Sequence, residues 1–186
     1  MKQRHLSPTK GRILISEPFL NDSFFKRSAI LLAENTEKGA MGFILNKPVG
    51  YSIHELISDF PEFDAQVYFG GPVESNSLFF IHTAPDLLGF TFEIEDGIYY
   101  GGNYDQVKNY AALGLLKPEQ IRFFAGYSGW DTGQLDFEME EDSWLIFERP
   151  LKLMEMKPES LWRELLKKSH SELAIWANYP DDPSLN

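Results

Sequence analysis

The chain of 186 residues contains no cysteine. Disulfides, thiolate zinc sites and thiol nucleophiles are therefore excluded. Histidine is nearly as scarce: the four residues His5, His54, His82 and His170 include no pair three or four apart, so no HExxH-type metal helix can form. Positive charge is also in short supply. Against 28 Asp and Glu stand 17 Lys and Arg, a formal net charge of −11. A field of that sign repels phosphate backbones, which are bound by Lys and Arg displacing counterions, so direct nucleic-acid binding over a broad face is not expected. Long apolar runs are missing too. "AILLA" (29–33) falls far short of the roughly 20 residues a membrane helix needs. The start, "MKQRHLSPTKGRILIS", is charged and has no apolar signal core. These absences describe a cytoplasmic protein without a membrane span.

What is present is a good supply of core. Hydrophobic residues make up 43% and aromatic residues 15%, enough to fold without cross-links or metal. The length fits one domain, read here as residues 11–186 behind a flexible polar lead, 1–10. Short apolar runs at 12–16, 28–35, 40–47, 66–71 and 77–83 read as strands, with a hairpin turn at "TEKG". "FTFEIEDGIYYGG" (90–102) is a second hairpin around Asp96-Gly97. "QIRFFAGY" (120–127) is a further strand. "QLDFEME" (134–140) alternates strictly and predicts a strand with Leu135, Phe137 and Met139 inward, with 143–149 as its neighbour. Ser52 and Glu55 form a capping-box pair ahead of a helix with Ile53, Leu56 and Ile57 on one face. Asn103 caps a helix at 104–113. Pro158 opens a third, with Leu161, Leu165 and Leu166 inward, and 171–179 reads as a shorter one. Eight or nine strands and three or four helices without regular βαβ alternation predict a single α+β domain.

The stretch "GYSGW" (126–130) comes within one residue of a nucleophile elbow, Gly-x-Ser-x-Gly. The upstream glycine fits. Trp130 stands where the second glycine belongs, and a turn followed by a strand is expected after it. Ser128 is thus a candidate nucleophile with His82, at a strand end, as its candidate base; the plainer roles are a turn serine and a backbone-bonded histidine. The acidic run Glu138, Glu140, Glu141 and Asp142 reads as a solvated strand face, so neither metal nor cofactor is expected. Three glycine turns follow apparent strands: Gly70-Gly71, Gly101-Gly102, and Tyr127-Ser128-Gly129-Trp130. Consecutive backbone N–H groups there can cradle an anion, or the glycines can simply supply positive φ. Arg27 enters a buried strand, where it either pairs with a carboxylate or contacts a ligand, and Asn46-Lys47-Pro48 serves a turn or a ligand.

Taken in order, "GRILISEPFLNDSFFKRSAILLAENTEKGAMGFILNKP" (11–48), "VYFGGPVESNSLFFIHT" (67–83), "GIYYGGNYDQVK" (97–108), "RFFAGYSGWDTGQLDFEME" (122–140) and "DDPSLN" (181–186) resemble the YqgE/AlgH family of small bacterial proteins. The resemblance implies a barrel-like, bifurcated sheet flanked by helices, and Arg27, Asn46, Gly70, Gly71, Ser128, Gly129 and Trp130 match its pattern. It implies no catalytic residues, and a label of transcriptional regulator that some members carry. The leading expectation is a non-catalytic module whose glycine turns contact a protein partner or a small anionic ligand. The alternatives are a serine hydrolase using Ser128 with His82 or a nearby carboxylate, and a regulator of transcription acting through a protein partner.

Overall fold

The structure, a computed structural model, describes residues 7–147, 152–169 and 172–178. Ten strands lie in one curled, mostly antiparallel sheet: β1 (Ile13–Ser16), β2 (Ala29–Thr36), β3 (Gly39–Ile44), β4 (Pro48–Ser52), β5 (Gln66–Phe69), β6 (Val73–His82), β7 (Thr91–Glu95), β8 (Ile98–Gly101), β9 (Ile121–Asp131) and β10 (Trp144–Phe147). Four α-helices accompany them: α1 (Ile53–Leu56), α2 (Tyr104–Ala112), α3 (Gln134–Glu140) and α4 (Pro158–Lys168). The domain is α+β, as expected, with β4 as a strand that the sequence pattern hides behind its leading proline.

The sheet runs β10-β1-β2-β3-β9-β6-β8-β7, and β4-β5 branches from it. β9 makes the branch. Its first half runs parallel to β5, with Val67 opposite Phe123. Its second half is antiparallel to β3, with Gly42 opposite Ser128. Its other flank carries β6 from Ile121 to Tyr127. Core side chains fill both faces. Phe43 and Phe124 stack at 4.8 Å between centroids on one face, beneath Leu161, Leu165 and Leu166 of α4. Phe123, Phe80 and Val107 of α2 fill the other. Each fully buried aromatic of this kind contributes about 1.5–3 kcal/mol.

Several local expectations hold. Ser52 N–H donates to Glu55 at 2.7 Å, which starts α1, although that helix is only one turn long and leaves Leu56 exposed. Asn103 accepts from the Gln106 N–H at 3.1 Å and caps α2. Pro158 opens α4 with the three leucines inward. The segment Glu172–Asn178 forms 3₁₀ turns; residues 171 and 179 of the expected helix lie outside the described residues, as do His5, His170, 148–149 and the "DDPSLN" stretch.

Two expectations are overturned. "QLDFEME" is the helix α3, with Phe137 exposed. The alternation is real, but Gln, Leu, Glu and Met are strong helix formers and no β-branched residue opposes them. The fold adds a tie, because Glu138 accepts both the Trp130 and Trp144 indole N–H groups, at 2.8 and 2.7 Å. A helix brings Gln134 and Glu138 together at 2.9 Å, where a strand would separate them. In consequence β10 has β1 as its neighbour, Trp144 lying opposite Ser16. "GYSGW" is no turn, since β9 runs straight through it to Asp131. At the described end of the lead, Lys10 donates to the Glu93 carbonyl at 3.0 Å, and Asn35 donates to the Pro8 carbonyl.

Candidate functional site

Ser128 lies at the fork of the sheet. It is fully buried, and its hydroxyl donates to the Gly70 carbonyl at 3.0 Å. The same carbonyl accepts the Ile44 N–H at 3.0 Å, while Gly70 N–H donates to Ala125 at 2.9 Å. Gly70 therefore stitches β3, β5 and β9 together where β5 leaves and β3 joins. A Cβ on Gly71 would sit 2.2 Å from the Tyr127 carbonyl carbon, and one on Gly126 would lie 2.5 Å from the Gly71 carbonyl oxygen. These backbones are in contact, so the glycines serve close packing. Tyr127 packs edge-on to Phe79 at 5.3 Å, Gly129 lies under Val73, and Trp130 is buried against Phe25 and Trp144.

His82 is not near Ser128. It stands opposite Ile121, seven residues back along β9 from Ser128, or about 23 Å at the strand rise. Its ring is buried, its Nδ1 accepts the Ala84 N–H at 3.1 Å, and it stacks on Tyr99. Burial pulls its pKa down to about 4, partly offset by the Gly101 carbonyl. The neutral imidazole caps a strand end. The two halves of the hydrolase reading are thus held apart, and Ser128 serves the fold. Gly101, whose carbonyl faces His82, and Gly102 lie where β8 gives way to α2.

Two of the sequence candidates do meet. Asn46 Nδ2 donates to the Arg27 carbonyl at 2.9 Å, and its Oδ1 accepts the Ala29 N–H at 2.8 Å. The side chain bridges the entry of β2, where Arg27 has a φ of +51°. The Arg27 guanidinium then lies over the Trp162 ring at 5.1 Å. This pair borders a cleft of about 380 Å³, lined also by Ser23, Lys26, Lys47, Glu159 and Arg163. Four cationic side chains and the Glu159 carboxylate line it, in a chain of net charge −11. Lys47 donates to the Phe24 carbonyl at 2.5 Å. Burial lowers its pKa, and nearby Asp22 opposes that shift. Arg163 is held by its Nε donating to the Ala177 carbonyl at 3.0 Å.

Sequence reasoning named Arg27 and Asn46 but not Lys26 or Arg163. The signal for Lys26 was present in "FFKRS"; Arg163 lies on the outer face of an amphipathic helix, where a cation is ordinary. Another cation it passed over, Arg122, is buried on β9 over the Tyr68 ring at 4.9 Å, and burial lowers its pKa. Among the described residues, no three His, Asp or Glu side chains gather as metal ligands. No described helix is long and apolar enough to cross a membrane.

Comparison with known proteins places this geometry. A UPF0301 protein of Cytophaga hutchinsonii is 41% identical, covering 96% of this chain and 99% of its own. One from Bacteroides fragilis is 39% identical over 100% of this chain and 95% of its own. The solution structure of the AlgH protein from Pseudomonas aeruginosa superposes with a TM-score of 0.70 at 28% identity, covering 98% of this chain and all of that one. A crystal structure from Corynebacterium diphtheriae shares the fold, with a TM-score of 0.71 at 18% identity and 96% and 95% coverage. With the AlgH-like family model matching residues 13–174, the chain belongs to the AlgH-like family, DUF179.

Proposed function

We propose that this is a non-catalytic, cytoplasmic binding protein whose ligand is a small anion held in the cleft between the entry of β2, the Asn46-Lys47 turn and α4. The observation that carries the reading is the gathering of cations: Lys26, Arg27, Lys47 and Arg163 line one concave site on an acidic chain. Guanidinium and ammonium groups bind carboxylate or phosphate oxygens through charge-assisted hydrogen bonds. Ser23 and Asn46 add neutral polar groups that fix orientation. An anion seated beside Lys47 offsets the desolvation that lowers its pKa. The cleft volume suits a ligand of metabolite size. Regulation of transcription rests on the family resemblance alone and is not proposed.

The test is a titration with inorganic pyrophosphate at low ionic strength, followed by amide and side-chain NMR shifts and by calorimetry. Saturable shifts at Arg27, Asn46, Lys47 and Arg163 are expected, weakening as salt is added. The double variant Lys47→Ala/Arg163→Ala should bind at least about tenfold more weakly, since each charged hydrogen bond contributes about 1.5–3 kcal/mol. Shifts scattered away from the cleft, or a double variant that binds as well as wild type, would overturn the proposal.

A further inference from the structure

β6 is flanked by β9 from Leu78 to His82, yet β8 pairs with it only at Ile81 and His82. At Gly101 the chain takes a φ of +76°, at Gly102 one of +130°, and it turns away into α2. Among the described residues, Leu78, Phe79 and Phe80 therefore have no strand on their second flank. Such an edge offers backbone N–H and C=O groups without ladder partners, the template for strand addition. Proteins ordinarily blunt an edge with proline, lysine or a covering element. Ser77-Leu78-Phe79-Phe80 carries neither proline nor lysine.

What lies beside this edge is an apolar groove of about 620 Å³, walled by Met41, Phe43, Ile57, Tyr100 and Tyr104 together with the edge residues. Its two walls belong to the two faces of the sheet. Phe79 packs with the Phe43 core, and Leu78 and Phe80 pack with the Phe123 core. An incoming strand points successive side chains to opposite faces, and here both directions are apolar. The rim is acidic. Tyr100 donates to Glu34 at one end. Asp59 and Asp105 both act on the Tyr104 hydroxyl at the other, where Lys108, bound to Asp59 at 2.6 Å, is the one cation among these groups.

We infer that the open flank of β6 at Leu78–Phe80 receives an extended segment of a partner protein, added as a strand, with a short apolar run flanked by basic residues. The apolar run fills the groove on both sides of the sheet. The basic ends meet Glu34 and Asp105. Main-chain hydrogen bonds supply affinity and the side-chain pockets supply specificity. The groove shares no residue with the anion cleft, so either proposal can fail without the other.

The probe is a capped peptide, Lys-Phe-Val-Phe-Lys, titrated by fluorescence polarisation and by amide hydrogen exchange. Saturable binding is expected, with exchange slowed at least about tenfold at amides within Leu78–Phe80. Methylating alternate peptide nitrogens should abolish binding. Asp105→Asn, on the surface of α2, should weaken it roughly twofold to fivefold, the worth of one exposed ionic contact. Four results would overturn the inference: no binding of the peptide; no protection at those amides; equal binding of the methylated peptide; or uptake of laurate by the groove with the peptide excluded, which would make it a lipid cavity. Concentration-dependent protection of the same amides without peptide would identify a second copy of the chain as the occupant, and would also overturn it.

Discussion

The hydroxyl of Ser128 donates to the carbonyl of Gly70 at 3.0 Å inside a fully buried fork of three strands. That single contact assigns the serine of "GYSGW" to architecture. Ser128→Ala leaves the Gly70 carbonyl with the Ile44 N–H as its remaining donor. Denaturant unfolding should report a loss of about 1 kcal/mol. Wild-type protein should remain unlabelled by a fluorophosphonate probe; stoichiometric labelling lost in Ser128→Ala would reverse the assignment.

The close approach of Gly71 to Tyr127 makes a sharper test. A methyl group at Gly71 meets backbone at 2.2 Å with φ at +152°, whereas one at Gly50 meets nothing within 4 Å at φ +87°. Gly50→Ala is expected to cost about 1 kcal/mol, the penalty of a left-handed alanine. Gly71→Ala must also push neighbouring strands apart, and should cost about 3 kcal/mol or more. Equal melting temperatures for the two variants would contradict the packing described.

Glu138 links α3 to β9 and β10 through the two indoles. Glu138→Ala leaves the N–H donors of two buried indoles unpaired, with an expected loss of about 1–3 kcal/mol. A shift in tryptophan fluorescence should accompany it, because Trp130 and Trp144 lose their shared acceptor. Glu138→Gln keeps one carbonyl acceptor and should recover some of the stability.

His82 sets a pH dependence whose sign is fixed by its burial. Its pKa is depressed from 6.5 to about 4 in the folded chain. Between those values the unfolded chain binds the extra proton, so stability falls as pH drops through that window and is fully retained above it. His82→Gln removes the titration. Wild-type unfolding free energy should decline from pH 6.5 towards pH 4.5 more steeply than that of His82→Gln, and parallel profiles would show that the histidine is solvated.

Much of the fold was legible along the chain because the relevant forces are local. Capping by Ser52 with Glu55, and by Asn103, involves residues three apart. The Asp96-Gly97 hairpin and the leucine stripe of α4 follow from turn chemistry and periodicity. "QLDFEME" misleads because its period-two hydrophobicity and its helix propensity disagree, and the tie from Glu138 to Trp130 and Trp144 that decides between them joins separate elements. The candidate site was half legible. Arg27 and Asn46 stood out as a cation and a turn amide beside buried strands, but their bond spans 19 residues, and Arg163 arrives from the far end of the chain.

By itself the sequence determined the α+β class, the acidity, the absence of thiol chemistry and most element boundaries, all consequences of composition and near-neighbour spacing. Tertiary structure alone decided which glycines touch backbone, that Ser128 and His82 lie far apart, and that four cations converge on one cleft. Those outcomes depend on strand register and on where β9 exchanges one neighbour for another, which long-range packing sets.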